Sequence, residues 1–489
     1  MLFAYRIGNR FLIRIIAHKN KKEKQTEGVF CKMEKRTEKV LCFGEGNFLR
    51  AFCAVAVQRM NENADFCGSI VMLQGLESGR AAAINAQGGK YTVLERGFER
   101  GKPVERFVHI DCVSRCVDPY ADYAEFLKIA ENPALELIVS NTTEFGIAFD
   151  GSETAGKAMY KNYPAKLTDF LFHRWKHFGA GAGLAVLPCE LIENNGKKLK
   201  ECVLKYAELW NLGEDFVRWL EANVVFADTL VDRIVSGYPK AEAGEICARL
   251  GYTDALLDVC EPFFLWVIEA DAEKLARIPL QKSGLQIVVT RDLRPYRTRK
   301  VRILNGAHTM SVLLGHLAGY VTVEQMLGDE VFCRYLEKGI AEEIIPSFEG
   351  EGLSAYAASV FERFRNPFLN HKLLDISLNS VSKWKTRVLC SVKDDISRTG
   401  NCPPLLCFSL AGLIAFYKQG ADSFVRDDAA AVRFIAENSV AAIVKNAALW
   451  GEDLSLLHPA LCPLVEKGVA LIGEKGPSAA VEAVCNGTL

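Results

Sequence analysis

Lys39-Val40-Leu41-Cys42-Phe43-Gly44-Glu45-Gly46-Asn47-Phe48-Leu49-Arg50 joins a short apolar run to a two-glycine turn and an amphipathic stretch. Residues 39–43 predict a strand, residues 48–61 a helix, and Gly44 and Gly46 the tight turn between them. Strand, glycine turn and helix open a dinucleotide-binding βαβ unit, in which backbone N–H groups approach a pyrophosphate at the helix N-terminus. Arg50 can add a cation to those phosphates. Leu49 stands where the usual third glycine would fall, so the turn by itself also fits an ordinary βα connection. The acid expected about 20 residues further on, for the ribose hydroxyls, is missing too. A second strand over residues 69–73 runs into Gln74-Gly75, with Glu77 the nearest acid. Gln74 can hydrogen-bond a ribose but does not repel a 2′-phosphate as a carboxylate would. The turn therefore leaves NAD and NADP both open.

Downstream, residues 135–140 read as a buried strand closing on Asn141-Thr142-Thr143, and residues 183–187 as another ending at Pro188-Cys189-Glu190. Strands alternating with helical patterns predict an α/β domain on a largely parallel sheet. Past about residue 285 long amphipathic segments take over: 300–319, 355–365, 405–419 and 428–445. The fold class is therefore α/β, an N-terminal Rossmann-type dinucleotide-binding domain over residues 36–286 followed by a mainly α-helical domain over 287–489. With no internal repeat and no low-complexity linker, the two are expected to pack closely. Residues 1–35 stand apart. Residues 11–16 are apolar but broken by Arg14, residues 19–24 are basic, and the apolar stretch is far too short for a bilayer span. They read as a disordered extension or, with Met33 at hand, a misassigned start.

A chain of 489 residues with 49% hydrophobic and 24% charged residues has the composition of a soluble globular protein. Its 59 Lys and Arg against 60 Asp and Glu leave a net charge of −1, which argues against nucleic acid as a partner. Sixteen cysteines are scattered without a paired zinc-ligand spacing. Cys42, Cys53 and Cys67 read as small core residues, the compartment as a reducing cytoplasm, and no metal is expected.

The most informative later stretch is Arg299-Lys300-Val301-Arg302-Ile303-Leu304-Asn305-Gly306-Ala307-His308. On an α-helix His308 would lie about 80° and Asn305 about 140° round from Lys300. All three polar groups then share one broad arc. Dehydrogenating an alcohol needs a base for the hydroxyl proton and a donor for the developing oxyanion. Lys300 can be that base if burial lowers its pKa. Asn305 can donate its amide, and His308 can bond a neighbouring hydroxyl or orient the lysine. Gly306 inside a helix costs roughly 1 kcal/mol against Ala, as if something approached the backbone there. A buried polar network on an interdomain helix is the alternative reading of the same residues.

Phe43-Gly44-Glu45-Gly46-Asn47-Phe48-Leu49-Arg50 together with Lys300, Asn305 and His308 resembles the mannitol dehydrogenase family of polyol-specific long-chain dehydrogenases. Ser140-Asn141-Thr142-Thr143-Glu144, Leu187-Pro188-Cys189-Glu190-Leu191-Ile192-Glu193-Asn194-Asn195-Gly196 and Val231-Asp232-Arg233-Ile234-Val235-Ser236-Gly237-Tyr238-Pro239 add to the likeness. So do Pro295-Tyr296-Arg297 and Ser377-Leu378-Asn379-Ser380-Val381-Ser382-Lys383. Within the family the chain looks most like the altronate oxidoreductase (tagaturonate reductase) branch. The resemblance implies hydride transfer with NAD, no zinc, and a cleft between the two domains. It places the lysine base on Lys300, the helix histidine on His308, and an oxyanion-holding asparagine pair on Asn305 and Asn195. It places the cofactor at Phe43, Gly44, Gly46, Asn47, Phe48, Arg50, Gln74, Asn141, Thr142 and Glu144. Mannitol-type members carry Asp-Asn where this chain has Glu190-Leu191, which puts the Asn195 assignment in question.

A hexonate brings a carboxylate that a neutral polyol lacks, and holding it in a closed cleft calls for a cation. Arg302, Arg365, Lys383, Lys385 and Arg387 are candidates. Lys383 and Arg387, four apart, share a side if their segment is helical, and the same pair could equally be a solvated basic face. Asp232 is a further candidate at the substrate, with Arg233 expected as its ion-pair partner. The function expected is reversible reduction of a keto-hexuronate by NADH. Fructuronate reduction and mannitol dehydrogenation are the alternatives within the family, and a non-catalytic NAD- or sugar-acid-binding sensor lies outside it. The partner is a small sugar acid, with neither nucleic acid nor membrane, and the chain a monomer or homodimer.

Overall fold

A computed structural model describes residues 36–143, 145–420 and 424–489. The expectations for residues 1–35 and for Glu144 lie outside the described residues. Residues 38–489 form one compact unit.

The first half carries the strands β1 (Thr37–Phe43), β2 (Gly68–Leu73), β3 (Tyr91–Glu99), β4 (Lys102–Ile110), β5 (Val113–Val117), β6 (Leu137–Ser140) and β7 (Leu184–Pro188). They are followed by β8 (Val224–Phe226), β9 (Asp228–Asp232), β10 (Val235–Gly237), β11 (Asp258–Cys260), β12 (Leu265–Glu269) and β13 (Ile287–Thr290). A six-stranded sheet has the order β5-β2-β1-β6-β7-β8, with parallel pairing of β1 to β6, β6 to β7, β7 to β8 and β2 to β5. That is the doubly wound dinucleotide-binding order, in which β1 is central and its C-terminal turn faces the switch point. The strands alternate between two cores, as period 2 requires. Val40, Cys42, Ile70, Met72, Leu137 and Val139 feed one. Leu41, Phe43, Val71, Leu73 and Ile138 feed the other. A sheet buried on both faces explains why its strands read as continuous apolar runs.

Two smaller sheets, β10-β11-β3-β4 and β13-β12-β9, flank it. The β3–β4 hairpin was hidden because its second strand is polar and exposed, whereas β12 and β13 are apolar runs that the sequence reading passed over. The helix expected over residues 48–61 is two pieces, α1 (Asn47–Ala51) and α2 (Cys53–Asn63), broken at Phe52. Cys42 and Cys53 are buried as expected, whereas Cys67 is exposed on a turn with φ of 49°.

The second half is helical, and its core runs from Ile303 to Cys485. The pieces that shape the site are α3 (Arg294–Arg299), a π-helical turn (Lys300–Asn305), α4 (Gly306–Leu317), α5 (Leu353–Phe364), α6 (Ser380–Arg387) and α7 (Pro404–Gly420). Helix α7 is apolar on all sides and runs through the middle of this core. The helix expected over 428–445 is split into Ala429–Glu437 and Val440–Lys445, because Ser439 turns extended and caps the second piece through Ala442 N–H.

Candidate active site

The lysine segment is not the regular α-helix that its spacing predicts. Lys300–Asn305 winds as a π-helix, and the Gly306 N–H reaches the Val301 carbonyl five residues back. A π turn takes more residues than an α turn, so five residues overshoot one full turn by less, and Asn305 falls nearer to Lys300 than the α-helical angle of about 140°. The wider turn brings base and oxyanion donor to one side. Gly306 is less crowded than its position suggested: a Cβ there would meet the Arg387 and Val301 carbonyl oxygens at 3.6 Å, an ordinary contact.

Lys300 Nζ donates to the Val231 carbonyl oxygen at 2.7 Å, at the end of β9. Burial pulls its pKa down, Asp232 and Glu261 push it back up, and Arg363 and Arg387 lower it further. His308 is buried with its ring stacked on Phe364 at 4.1 Å and edge-on to His371 at 5.1 Å. Burial first, then the charges of His371, Arg387, Arg363 and Lys383, hold it well below the usual imidazole range. The ring is therefore neutral at neutral pH, and its Nε2 has no partner among the described residues. Asn305 is half-buried at the mouth, and its backbone oxygen accepts from Thr309 Oγ1 at 2.8 Å. A lysine of lowered pKa, a half-buried amide and a neutral imidazole together can move a proton and hold an alkoxide.

Two expected cations are here. Lys383 and Arg387 both lie on α6 and both act on His308. Lys383 donates to the Ile376 carbonyl at 2.8 Å. Arg387 is half-buried, burial lowers its pKa, and its guanidinium has no ion pair among the described residues. A desolvated guanidinium without a carboxylate is an anion site in waiting. The other candidates are committed elsewhere: Arg302 pairs with Asp394 at 2.6 Å, and Arg365 with Glu337 at 3.6 Å. Lys385 lies against Gly451.

Asp232 sits beside Lys300, but its partner is not Arg233. Both its oxygens are held by Arg363, at 2.7 and 3.0 Å, and Oδ2 also accepts from Tyr356 at 3.0 Å. Arg233 instead turns to Glu95 and to the carbonyls of Ala51 and Glu261. Asp232 is the last residue of β9 and Arg233 lies in the connection to β10, so the two side chains meet different partners.

Asn195 is buried behind the strand ends. It is 1% exposed, its Nδ2 donates to the Pro188, Glu190 and Thr229 carbonyls at 3.0–3.1 Å, and its Oδ1 accepts from Gly196 and Thr229 N–H. Every donor and acceptor of the amide is used, and it braces β7 to β9.

At the cofactor end, Gly44 has φ of +123°, which favours glycine, and nothing lies within 4 Å of a Cβ on Gly46. That open space over the turn fits a dinucleotide's pyrophosphate. The side chains around it are more occupied than expected. Arg50 is fully buried, bonded to Asn47 Oδ1 at 2.6 Å and to Leu256 O, and 3.4 Å from Asp258, so it ties α1 to β11. Asn47 is thereby engaged as well. The Phe43 ring packs on Tyr163 at 5.0 Å and Phe126 at 5.7 Å, leaving only its backbone at the turn. Phe48 stacks on Phe52 at 4.8 Å. Gln74 is spent within its own loop, donating to Glu77 O and accepting from Ala81 N–H. Glu45 accepts from Gly75 N–H at 2.9 Å and fastens that loop to the turn. Asn141 donates to Cys189 O at 2.9 Å, and Thr142 donates through N–H and hydroxyl to Glu190. Glu190 thus organises the strand-end loops.

Arg363, Tyr356, Glu261 and His371 went unnoticed in the sequence, and Glu190 was read only as a departure in the strand-end motif. Arg363 has no local signature, since its partner lies 131 residues away. Among the described residues no group of three or more His, Cys, Asp or Glu side chains could hold a metal ion, and no helix is long and apolar enough to cross a membrane.

Two family models match the chain: the mannitol dehydrogenase Rossmann domain over residues 38–282 and the mannitol dehydrogenase C-terminal domain over residues 292–460. The chain is 39% identical over 468 residues to the altronate oxidoreductase of Klebsiella pneumoniae (strain 342), covering 91% of this chain and 97% of that protein. It is 38% identical to the altronate oxidoreductase of Bacillus subtilis (strain 168), covering 95% and 98%. Among solved structures it is similar to a substrate-free D-sorbitol dehydrogenase, with a TM-score of 0.78 at 24% identity over 91% of this chain and 95% of that one. It is also similar to the Pseudomonas fluorescens mannitol 2-dehydrogenase ternary complex with NAD and D-mannitol, with a TM-score of 0.68 at 20% identity over 93% and 95%. These two likenesses support the fold.

Proposed function

The chain belongs to the mannitol dehydrogenase family, and from that premise we propose that it is an NAD-dependent altronate oxidoreductase, reducing tagaturonate to altronate and reversing that step. When bound, the nicotinamide supplies a hydride to the keto carbon in reduction and takes it back in oxidation. In reduction Lys300 gives the proton that completes the hydroxyl; in oxidation its neutral amine takes that proton. Asn305 donates its amide to the oxygen while it carries negative charge, and neutral His308 bonds a neighbouring hydroxyl through Nε2. Arg387, helped by Lys383, holds the substrate carboxylate, and Asp232 orders the polar network behind the lysine. Gly44, Gly46, Asn141, Thr142 and the backbone of Phe43 line the cofactor side.

The observation that carries this reading is the guanidinium of Arg387, half-buried with no ion pair among the described residues and near enough to bear on both Lys300 and His308. A neutral polyol gives that guanidinium no counter-charge; a hexonate does. We read the protein as cytoplasmic, a monomer or homodimer, with a sugar acid as its partner and neither nucleic acid nor membrane.

A substrate panel tests it: tagaturonate, fructuronate and fructose, each with NADH and with NADPH, followed by loss of reduced-nicotinamide absorbance. Turnover highest with tagaturonate and NADH is expected. Turnover with fructuronate or fructose but not tagaturonate would move the chain to another branch. Binding without turnover on any of them would make it a sensor.

A further inference from the structure

The inference here rests on Lys300 as the proton-transfer residue and concerns what keeps its amine available. Lys300 lies beside the Asp232 carboxylate, which favours the ammonium form and invites a direct salt bridge. Yet Nζ donates to the neighbouring backbone carbonyl of Val231 at 2.7 Å. The carboxylate is already taken from α5. Asp232 Oδ1 accepts from Arg363 Nη2 at 2.7 Å, and Oδ2 accepts from Arg363 Nη1 and the Tyr356 hydroxyl, each at 3.0 Å. The same guanidinium donates to both oxygens of buried Glu261, at 2.8 and 2.9 Å. One cation from the helical half thus satisfies two buried carboxylates from the sheet half.

We propose that Arg363 is a positioning residue that holds Asp232 and Glu261 away from Lys300, leaving the lysine amine free to exchange its proton with the substrate. The charged groups facing Lys300 are Asp232 and Glu261 from the sheet half, Arg363 from α5 and Arg387 from α6. Removing Arg363 leaves two carboxylates against the lysine and a single remaining cation. The lysine then pairs with Asp232 and keeps its proton to higher pH. Arg363 also lines a cavity of ≈ 660 Å³ with Glu95, Phe263 and Glu362, through which a small cation can reach the vacated position.

The test is the pH profile of kcat/KM for aldonate oxidation in wild type, Arg363→Gln, Arg363→Lys and Tyr356→Phe. Oxidation needs the neutral amine, so its acidic limb reports the lysine. In Arg363→Gln the limb moves up by a unit or more, about a tenfold loss at a fixed pH below it, and guanidinium ion moves it back. Arg363→Lys and Tyr356→Phe move it less and in the same direction. A folded, cofactor-binding Arg363→Gln whose activity falls by one factor at every pH, with the limb unmoved, overturns the proposal. If that variant does not fold, an unmoved limb in both Arg363→Lys and Tyr356→Phe overturns it equally. Full turnover in Lys300→Ala would instead remove the reading beneath it, and the two failures are told apart by that variant alone.

Discussion

Lys300 Nζ stands 2.7 Å from the Val231 carbonyl oxygen, one residue before the carboxylate that would hold it fast. A backbone carbonyl orients the amine without the full charge of a carboxylate, so the lysine is aimed and still able to lose its proton.

Lys300→Ala removes the proton-transfer group and nothing that touches the Gly44–Gly46 turn. Turnover is expected to fall by roughly 10²–10⁴-fold, the range for loss of a general acid or base. NADH affinity, read by nucleotide fluorescence, stays near wild type. Turnover undiminished at every pH would take Lys300 out of the chemistry.

Arg387→Gln leaves the shape of α6 and removes the unpaired guanidinium. Loss of a charge-assisted hydrogen bond of about 1.5–3 kcal/mol is expected to raise KM for the hexuronate by roughly 10- to 100-fold. The ratio of kcat/KM for tagaturonate over its neutral analogue tagatose collapses by the same factor. A preference for the acid that survives the substitution would assign the carboxylate to another group.

Asn195→Asp sets a charge against the Pro188, Glu190 and Thr229 carbonyls that now receive the amide's hydrogens. A stability loss of about 3 kcal/mol or more follows, with KM of the folded fraction unchanged. Denaturant unfolding and a KM on the folded protein separate this from a catalytic role. A stable variant with kcat alone reduced would return Asn195 to the oxyanion.

Glu343 caps the start of α7, accepting from Leu405 and Leu406 N–H at 2.8 and 2.7 Å. Burial pushes its carboxyl from 4.5 up to about 7, against the pull of those two N–H groups. A carboxyl raised on folding binds its proton more tightly in the native state. The stability this contributes, roughly 3 kcal/mol, is present below its unfolded value of 4.5 and is lost as pH rises through about 7. Melting temperature should therefore fall from about pH 5 to about pH 8 more steeply in wild type than in Glu343→Gln, which cannot titrate. Equal slopes in the two proteins would show the group is not raised.

Much of the architecture was legible in the chain because it is local. The strand before Gly44, the apolar runs at β2, β6 and β7, and the shift to helical periodicity after about residue 285 each reflect which neighbours along the sequence share a face. Lys300, Asn305 and His308 were found for the same reason: nine consecutive residues contain them all. The π-turn that narrows the angle between Asn305 and Lys300 was not legible, since hydropathy spacing cannot distinguish one hydrogen-bond register from the next.

What the sequence by itself determined is the order of elements, the glycine turn and the set of polar groups available for proton transfer. Only the tertiary structure decided which of those groups are free. Arg50, Gln74 and Asn195 looked available and are spent inside the protein. Arg387 looked like one basic residue among several and is a desolvated guanidinium with no ion pair among the described residues. Arg363 looked like nothing and holds Asp232 from 131 residues away. A buried charge takes whichever partner the packing brings within about 3 Å, and that choice is made across the whole fold.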